Sequence, residues 1–211
     1  DRSGNPKYDV VLLGFEEYVS SQEYYSFKKF VAEGGTLIFL DATNFLAEVK
    51  YYPSSNHLAL VRGHGWHFNG TAAFPDVYER WYNDTMNWVG SNYCCYDFGA
   101  YQGATLALNN SLGNQLAIIL NRTYGKNVFT NYHGHEENRL TNLSYTTIIA
   151  TWQRKQPMDH FTIVSYIHRY MKGLVIHFGA MGSDIIATDR SAQSFLLLCL
   201  EYPSLIENES Q

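Results

Sequence analysis

The sequence predicts an α/β domain of three layers on a mostly parallel sheet, with an inserted β-hairpin and an antiparallel edge. Three observations carry that expectation. Two short continuous apolar runs, Tyr8–Gly14 and Thr36–Leu40, read as strands buried on both faces, as the strands of a parallel sheet are. The segment between them has helical periodicity, so that strand, helix and strand form one right-handed βαβ unit. Finally, 211 residues with 45% apolar and only 17% charged content supply one large core and leave little room for disorder.

Taken in order, Ser20 or Ser21 caps the first helix, Tyr24, Phe27, Phe30 and Val31 recur on its apolar face, and Gly34-Gly35 stops it. Glu48–Tyr52 and His57–Val61 flank Pro53-Ser54-Ser55-Asn56 and form the hairpin inserted on the sheet. Pro75 opens an amphipathic helix that runs to about Val89, with Val77, Trp81, Trp88 and Val89 inward. Ser91 to Gly113, rich in Gly, Asn and Tyr, reads as a long loop. Strands follow at Leu116–Leu120 and Thr146–Trp152. Phe161–Tyr170 and Leu174–Phe178, joined through Met171-Lys172-Gly173, form the antiparallel pair near the sheet edge. Asp189 caps a last helix from Arg190 to about Leu200. Residues 1–203 thus make a single domain with a polar tail at 204–211, without repeat or linker.

Charge and hydropathy exclude two classes of partner. Lys+Arg 15 against Asp+Glu 20 gives net −5, and no basic run interleaves with aromatics, which argues against a nucleic-acid interface. No segment approaches the roughly 20 apolar residues of a membrane span; Ser194–Leu200 is the most apolar and far too short. Asn-x-Ser/Thr sequons stand at Asn69, Asn83, Asn109, Asn121, Asn142 and Asn208, where this composition gives roughly two by chance. The excess predicts a secreted protein carrying N-linked glycans, extracellular or at the cell surface. A chain opening at Asp1 fits a trimmed product. Of the three cysteines, Cys94 or Cys95 can pair with Cys199, or the two neighbours can form a vicinal bridge. Spacing of the Cys-x2-Cys or His-x3-His kind, which zinc would want, is missing.

Tyr8-Asp-Val-Val-Leu-Leu-Gly-Phe-Glu-Glu-Tyr18, the helix, and Gly34-Gly-Thr-Leu-Ile-Phe-Leu-Asp-Ala-Thr-Asn-Phe45 together resemble the C-terminal domain of the N,N-dimethylformamidase large (beta) subunit and its relatives, especially the versions in archaeal cell-surface proteins. His133-Gly-His-Glu-Glu137 and the closing Lys172-Gly-Leu-Val-Ile-His-Phe-Gly179 extend the likeness over about residues 8–200. The resemblance implies a class I glutamine amidotransferase-like, flavodoxin-like fold. In that family a strand and a helix precede the segment that begins at Tyr8. The expectation is that a cleaved N-terminal piece or a neighbouring subunit completes the sheet, since a core strand does not leave its backbone groups unpaired.

The resemblance also frames the chemistry. Amidotransferases of this fold place a Cys nucleophile on the elbow after the second strand. Here the elbow is Asp41-Ala42-Thr43-Asn44, with no cysteine, and Thr43 needs a base close by to substitute for one. His135 and Glu137 keep the His-x-Glu pair, and alternation along an extended segment puts them on one face with His133, where they could share a proton or a metal. The resemblance to dimethylformamidases further implies a mononuclear iron site of two tyrosines and a glutamate activating water on an amide carbonyl. Tyr18 after Glu17 matches one ligand and Glu137 the carboxylate. Where relatives carry Phe-Tyr, this chain has Phe45-Leu46, and leucine binds no metal. His64 and His67, like Trp81 and Trp88, are read as surface and core structure respectively, and His160, His168 and His177 as structural histidines.

Two functions follow. One is an extracellular structural module with a degenerate site, building a surface layer, filament or multi-protein complex. The alternative is a metal-dependent amide hydrolase using Tyr18, Glu137 and His135. The missing nucleophile, Leu46 and the incomplete sheet favour the first.

Overall fold

The computed structural model describes residues 7–42, 44–63, 79–96, 101–106, 118, 128–129, 136–140, 143–154, 162–163, 165–178, 186–187, 190, 192–194, 196–197 and 199–201. The N-terminal half contributes β1 (Val10–Leu13), β2 (Tyr18–Val19), α1 (Ser21–Ala32), β3 (Thr36–Phe39), β4 (Ala47–Tyr52), β5 (His57–Gly63), α2 (Tyr82–Trp88) and β6 (Ser91–Tyr96). After these come β7 (Tyr101–Leu106), β8 (Val128–Phe129), β9 (Glu136–Leu140), β10 (Thr146–Arg154), β11 (Thr162–Ile163), β12 (Ser165–Tyr170) and β13 (Gly173–His177). Residues 190, 192–194, 196–197 and 199–201 are also helical; Asp189 lies outside the described residues.

Ser20 starts α1 as a reciprocal cap. Its Oγ accepts from the Glu23 amide at 3.2 Å, and Glu23 Oε2 accepts from the Ser20 amide at 2.8 Å. The helix ends at Glu33, and Gly34 takes φ +115, which an L side chain rarely adopts. The chain then returns as β3, parallel to β1, with Val10 beside Thr36 and Leu13 beside Phe39. Strand, helix and strand therefore form the βαβ unit the sequence announces.

Beyond that unit the expected mostly parallel, flavodoxin-like sandwich is corrected. The main sheet runs β1-β3-β13-β12-β10-β7-β8. Only β1–β3 and β3–β13 are parallel; β13–β12, β12–β10, β10–β7 and β7–β8 are antiparallel. Two further sheets, β11-β9-β6 and β2-β4-β5, each have three strands. The β12–β13 pair is antiparallel as its sequence predicts, since Met171, at φ 52, and Lys172 leave no room for the crossover of a dozen or more residues that a parallel neighbour needs. The difference lies in β10, β7 and β8, which continue the antiparallel run. A buried apolar run reports burial; it does not report which way its neighbour runs.

Other expectations are corrected as well. The β12–β13 pair sits mid-sheet, because β13 also pairs with β3. The hairpin β4–β5 forms as expected but joins β2 instead of the main sheet. Ser91 to Gly113, read as a loop, holds β6 and β7, where tyrosine's liking for strands outweighs the local Gly and Asn. Among the described residues the second helix begins at Tyr82; residues 79–81 are not helical, and Pro75 lies outside them. Of Leu116–Leu120 only Ile118 is described, and it is helical.

The core gathers on the face of the sheet that α1 and α2 cover: Leu13, Tyr24, Val31, Leu37, Phe39, Phe45, Trp81, Trp88 and Val175. Gly173 permits the close approach of α1, since a Cβ there would lie 2.1 Å from the Val31 carbonyl oxygen. At the other margin β1 is the last strand of its sheet among the described residues. The Asp9 and Leu13 carbonyls accept from the Thr36 and Leu40 amides at 2.9 Å each. Strand alternation therefore points the polar groups of Val11 toward β3 as well, and those of Val10 and Leu12 outward.

Candidate functional site

Open α/β sheets bind ligands beyond the carboxyl ends of parallel strands. Here those ends belong to β1, β3 and β13, and the segment after β3 decides what space remains. Asp41 and Ala42 are buried, and the Asn44 side-chain amide donates to the Asp41 carbonyl. Phe45 then takes φ 59, left-handed for a residue with a Cβ, while its amide donates to the Glu16 carbonyl at 2.8 Å. That conformation costs roughly 1–2 kcal/mol. It is offset by what the ring reaches: Phe45 lies edge-on to Tyr24 and to Phe39, at 5.3 Å each, and stacks on Trp88 at 5.7 Å. Where the sequence reading expects a nucleophile elbow, Phe45 packs its ring into the lip of the sheet. Leu46, the next residue, is 1% exposed.

What is left is a cavity of ≈ 10 Å³, lined by Phe39, Asn44, Phe45, Glu79, Asn92 and His177 among others, about enough for one water. Its polar atoms matter more than its size. Glu79 Oε2 accepts from Asn92 Nδ2 at 2.6 Å, while Glu79 Oε1 and Asn44 Oδ1 are sealed from solvent without a hydrogen-bond partner among the described residues. Burial raises the Glu79 carboxyl to about 8, against the bonds from Asn92 and Tyr93 that pull it down. At neutral pH it is therefore largely protonated and supplies the cavity with a hydroxyl donor. Behind it the Tyr166 hydroxyl donates to the Val89 carbonyl at 3.0 Å and lies 2.6 Å from Ser91 Oγ; its ring stacks on His177 at 5.2 Å. Burial pushes the Tyr166 phenol up, so it stays neutral.

A second network ties α1 to α2. The Tyr24 hydroxyl donates to Asp84 Oδ2 at 3.0 Å, lies 3.0 Å from Thr85 Oγ1 and accepts from Trp88 Nε1 at 2.9 Å; Tyr24 also stacks on Trp81 at 4.1 Å. Trp81 and Trp88 are thus core, as expected, although Trp81 stands just ahead of α2 and not on it. His168 is structural too: Nδ1 lies 2.8 Å from Thr146 Oγ1, and Nε2 3.3 Å from the Asn87 carbonyl. Burial holds its pKa below the usual histidine value. Its neutral form belongs to the fold, so stability is complete above the unfolded-state value near 6.5 and declines as pH falls below it. Thermal unfolding from pH 7.5 to 5 should show that decline, and His168→Gln should flatten it; an unchanged slope would remove His168 from the account.

Of the catalytic and metal residues singled out from the sequence, Tyr18 and Glu137 are among the described residues. Tyr18 lies on β2 opposite Ala47, partly exposed, and Glu137 lies on β9 opposite Cys95, in a different sheet. Burial raises Glu17, beside Tyr18, to about 7. His133, His135, Thr43, His64, His67 and His160 lie outside the described residues, and among those described no group of three or more His, Cys, Asp or Glu could hold a metal. Cys199 is a free, buried thiol whose pKa burial pushes up, so of the pairings the sequence leaves open, the one from Cys94 or Cys95 to Cys199 is not formed. Of the sequons, Asn83 is described, exposed on α2; Asn69, Asn109, Asn121, Asn142 and Asn208 lie outside. Sequence reasoning missed Glu79, Asn92 and the Ser91–Tyr166 pair, and the one available signal was a carboxylate ahead of an apolar helix. No helix among the described residues is long and apolar enough to cross a membrane.

What the fold and site define is a mixed α/β domain with a filled lip. No protein-family model and no curated protein matches the chain. Among solved structures it is similar to a GH42 β-galactosidase from G. stearothermophilus, at 13% identity over 92% of this chain and 22% of that one, TM-score 0.44. It is also similar to the β-galactosidase of Bacillus circulans sp. alkalophilus, at 14% over 86% and 22%, TM-score 0.46. A cytoplasmic protein from Salmonella typhimurium LT2 gives 14% over 88% and 68%, TM-score 0.47. The chain spans less than a quarter of the length of those β-galactosidases. Likeness at this level says nothing about what the chain does.

Proposed function

We propose that the chain is a secreted, N-glycosylated extracellular module that builds an assembly (a surface layer, filament or multi-protein complex), with a degenerate amidohydrolase-like position, and that a strand from another subunit adds along β1. The outer edge of β1 carries this reading. Val10-Val11-Leu12-Leu13 is four aliphatic residues without the lysine, proline or bulge that blunts an exposed edge. Leu12 is 42% exposed, with Tyr8 and Phe15 also exposed on either side. The outward amides and carbonyls of Val10 and Leu12 are what strand addition uses. The aromatic filling of the lip supports a structural role over catalysis, and the exposed Asn83 fits a glycan.

The test exploits the alternation. Proline lacks a donor but is tolerated where the amide points away from the sheet. Leu12→Pro should therefore leave the fold nearly intact, with a melting temperature within about 2 °C, and shift the sedimentation of the assembled chain to that of a monomer. Leu13→Pro removes an inward donor and should destabilise the fold itself. Assembly that survives Leu12→Pro, or a native chain that is monomeric throughout, contradicts the reading.

One observation favours the hydrolase alternative: Glu17, with its carboxyl near 7, could pass a proton at neutral pH beside Tyr18. Stoichiometric iron in the purified protein, lost in Glu137→Ala, would establish that alternative.

A further inference from the structure

We propose that the Asn83 sequon is glycosylated before α2 docks on α1, so that a glycan at Asn83 marks a chain modified while still unfolded. The inference rests on the secreted-glycoprotein reading above. The motif requires both the Asn83 amide, which takes the sugar, and the Thr85 hydroxyl, so whatever reads it must reach the two together. In an extended chain residues two apart lie on one face. In α2 they do not face each other: Asn83 is exposed, whereas Thr85 is 4% exposed with its Oγ1 3.0 Å from the Tyr24 hydroxyl. The middle residue is held as well, since Asp84 Oδ1 pairs with Lys28 Nζ at 2.5 Å and Oδ2 accepts from Tyr24 at 3.0 Å. The Thr85 carbonyl accepts from the Val89 amide at 2.9 Å, closing the helix over the motif. Presenting the sequon extended means unwinding α2 and parting it from α1.

The transfer itself is ordinary. A lipid-linked oligosaccharide phosphate is the co-reactant. The bond from sugar C1 to phosphate oxygen breaks, the lipid phosphate leaves with the electron pair, a bond from C1 to Asn83 Nδ2 forms, and one amide proton goes to a base. Once the chain has folded, the glycan projects from the exposed side of α2, beside Tyr82 and Asn87, which are exposed too.

Unglycosylated full-length chain from a host without N-glycosylation supplies both acceptors: the folded protein, and the same chain carboxymethylated at its cysteines, which cannot repack around a charge at buried Cys199. Each is incubated with an oligosaccharyltransferase and lipid-linked oligosaccharide, and Asn83 occupancy is read by peptide mass spectrometry. The expected result is at least tenfold more modification of the unfolded acceptor. Tyr24→Phe, which removes the hydroxyl bonded to both Asp84 and Thr85, should raise modification of the folded form. Equal modification of the two acceptors, or none at Asn83 while other sequons are occupied, overturns the inference alone. Secreted protein with all six sequons bare overturns the glycoprotein reading and this inference with it.

Discussion

Trp88→Ala should cost about 3–5 kcal/mol, the usual range for truncating a fully buried tryptophan. Trp88 has no exposed surface. It stacks on Phe45 and lies edge-on to Tyr24, each at 5.7 Å, and its Nε1–H donates to the Tyr24 hydroxyl. The substitution leaves a void beneath the strained Phe45 and frees the joint between α1 and α2. Against a typical total of about 5–15 kcal/mol it leaves a marginal fold. Urea unfolding followed by circular dichroism should show the midpoint falling with little change in slope. Trp88→Phe keeps an aromatic ring but loses the donor, and should cost markedly less. A loss below about 1 kcal/mol for Trp88→Ala would mean that the ring cluster does not hold the lip closed.

Glu79→Gln should stabilise the protein, and more so as pH rises. The folded carboxyl sits at about 8 against an ordinary 4.5, because Oε1 is sealed from water even though the residue as a whole is partly exposed. The folded state therefore keeps a proton that the unfolded chain releases, and stability falls as pH climbs from about 4.5 to 8. Glutamine keeps a neutral hydrogen-bonding head of the same shape and removes the ionisation. The variants should be close at pH 5 and separate by a few kcal/mol near pH 8.5, on the scale of about 1.4 kcal/mol per pKa unit. Chemical denaturation at the two pH values measures this. Parallel curves would show that Glu79 ionises in the fold, and the cavity would then be wetter than the geometry indicates.

These two residues mark where reading the sequence stopped. What is local was legible: a serine cap at Ser20 or Ser21, the glycine stop, the β4–β5 hairpin and the turn into β13 are set by residues a few positions apart. Trp81 and Trp88 were legible as core, although Trp81 precedes α2 and reaches the core from outside the helix that suggested it. Strand direction was legible in the first βαβ unit and the β12–β13 pair but not in β10 and β7, since Ile148 is equally apolar whether its neighbours run with or against it. The site was less legible still. Phe45 looked like an ordinary aromatic beside an elbow, and nothing in its neighbours announces a left-handed residue. Glu79 meets Asn92 only through the fold. Tyr18 and Glu137, joined by a family pattern, fall in separate sheets.

The claim that matters most, that β1 is a docking edge, is tested most directly by amide hydrogen exchange resolved to single residues along Val10–Leu13. In the monomer Val11 and Leu13 should be protected by β3, while Val10 and Leu12, facing outward, exchange freely. Assembly should bring Val10 and Leu12 to the protection of their neighbours. If all four amides behave alike in the monomer, or Val10 and Leu12 stay fast in the assembled protein, no strand adds there and the proposed mode of assembly fails.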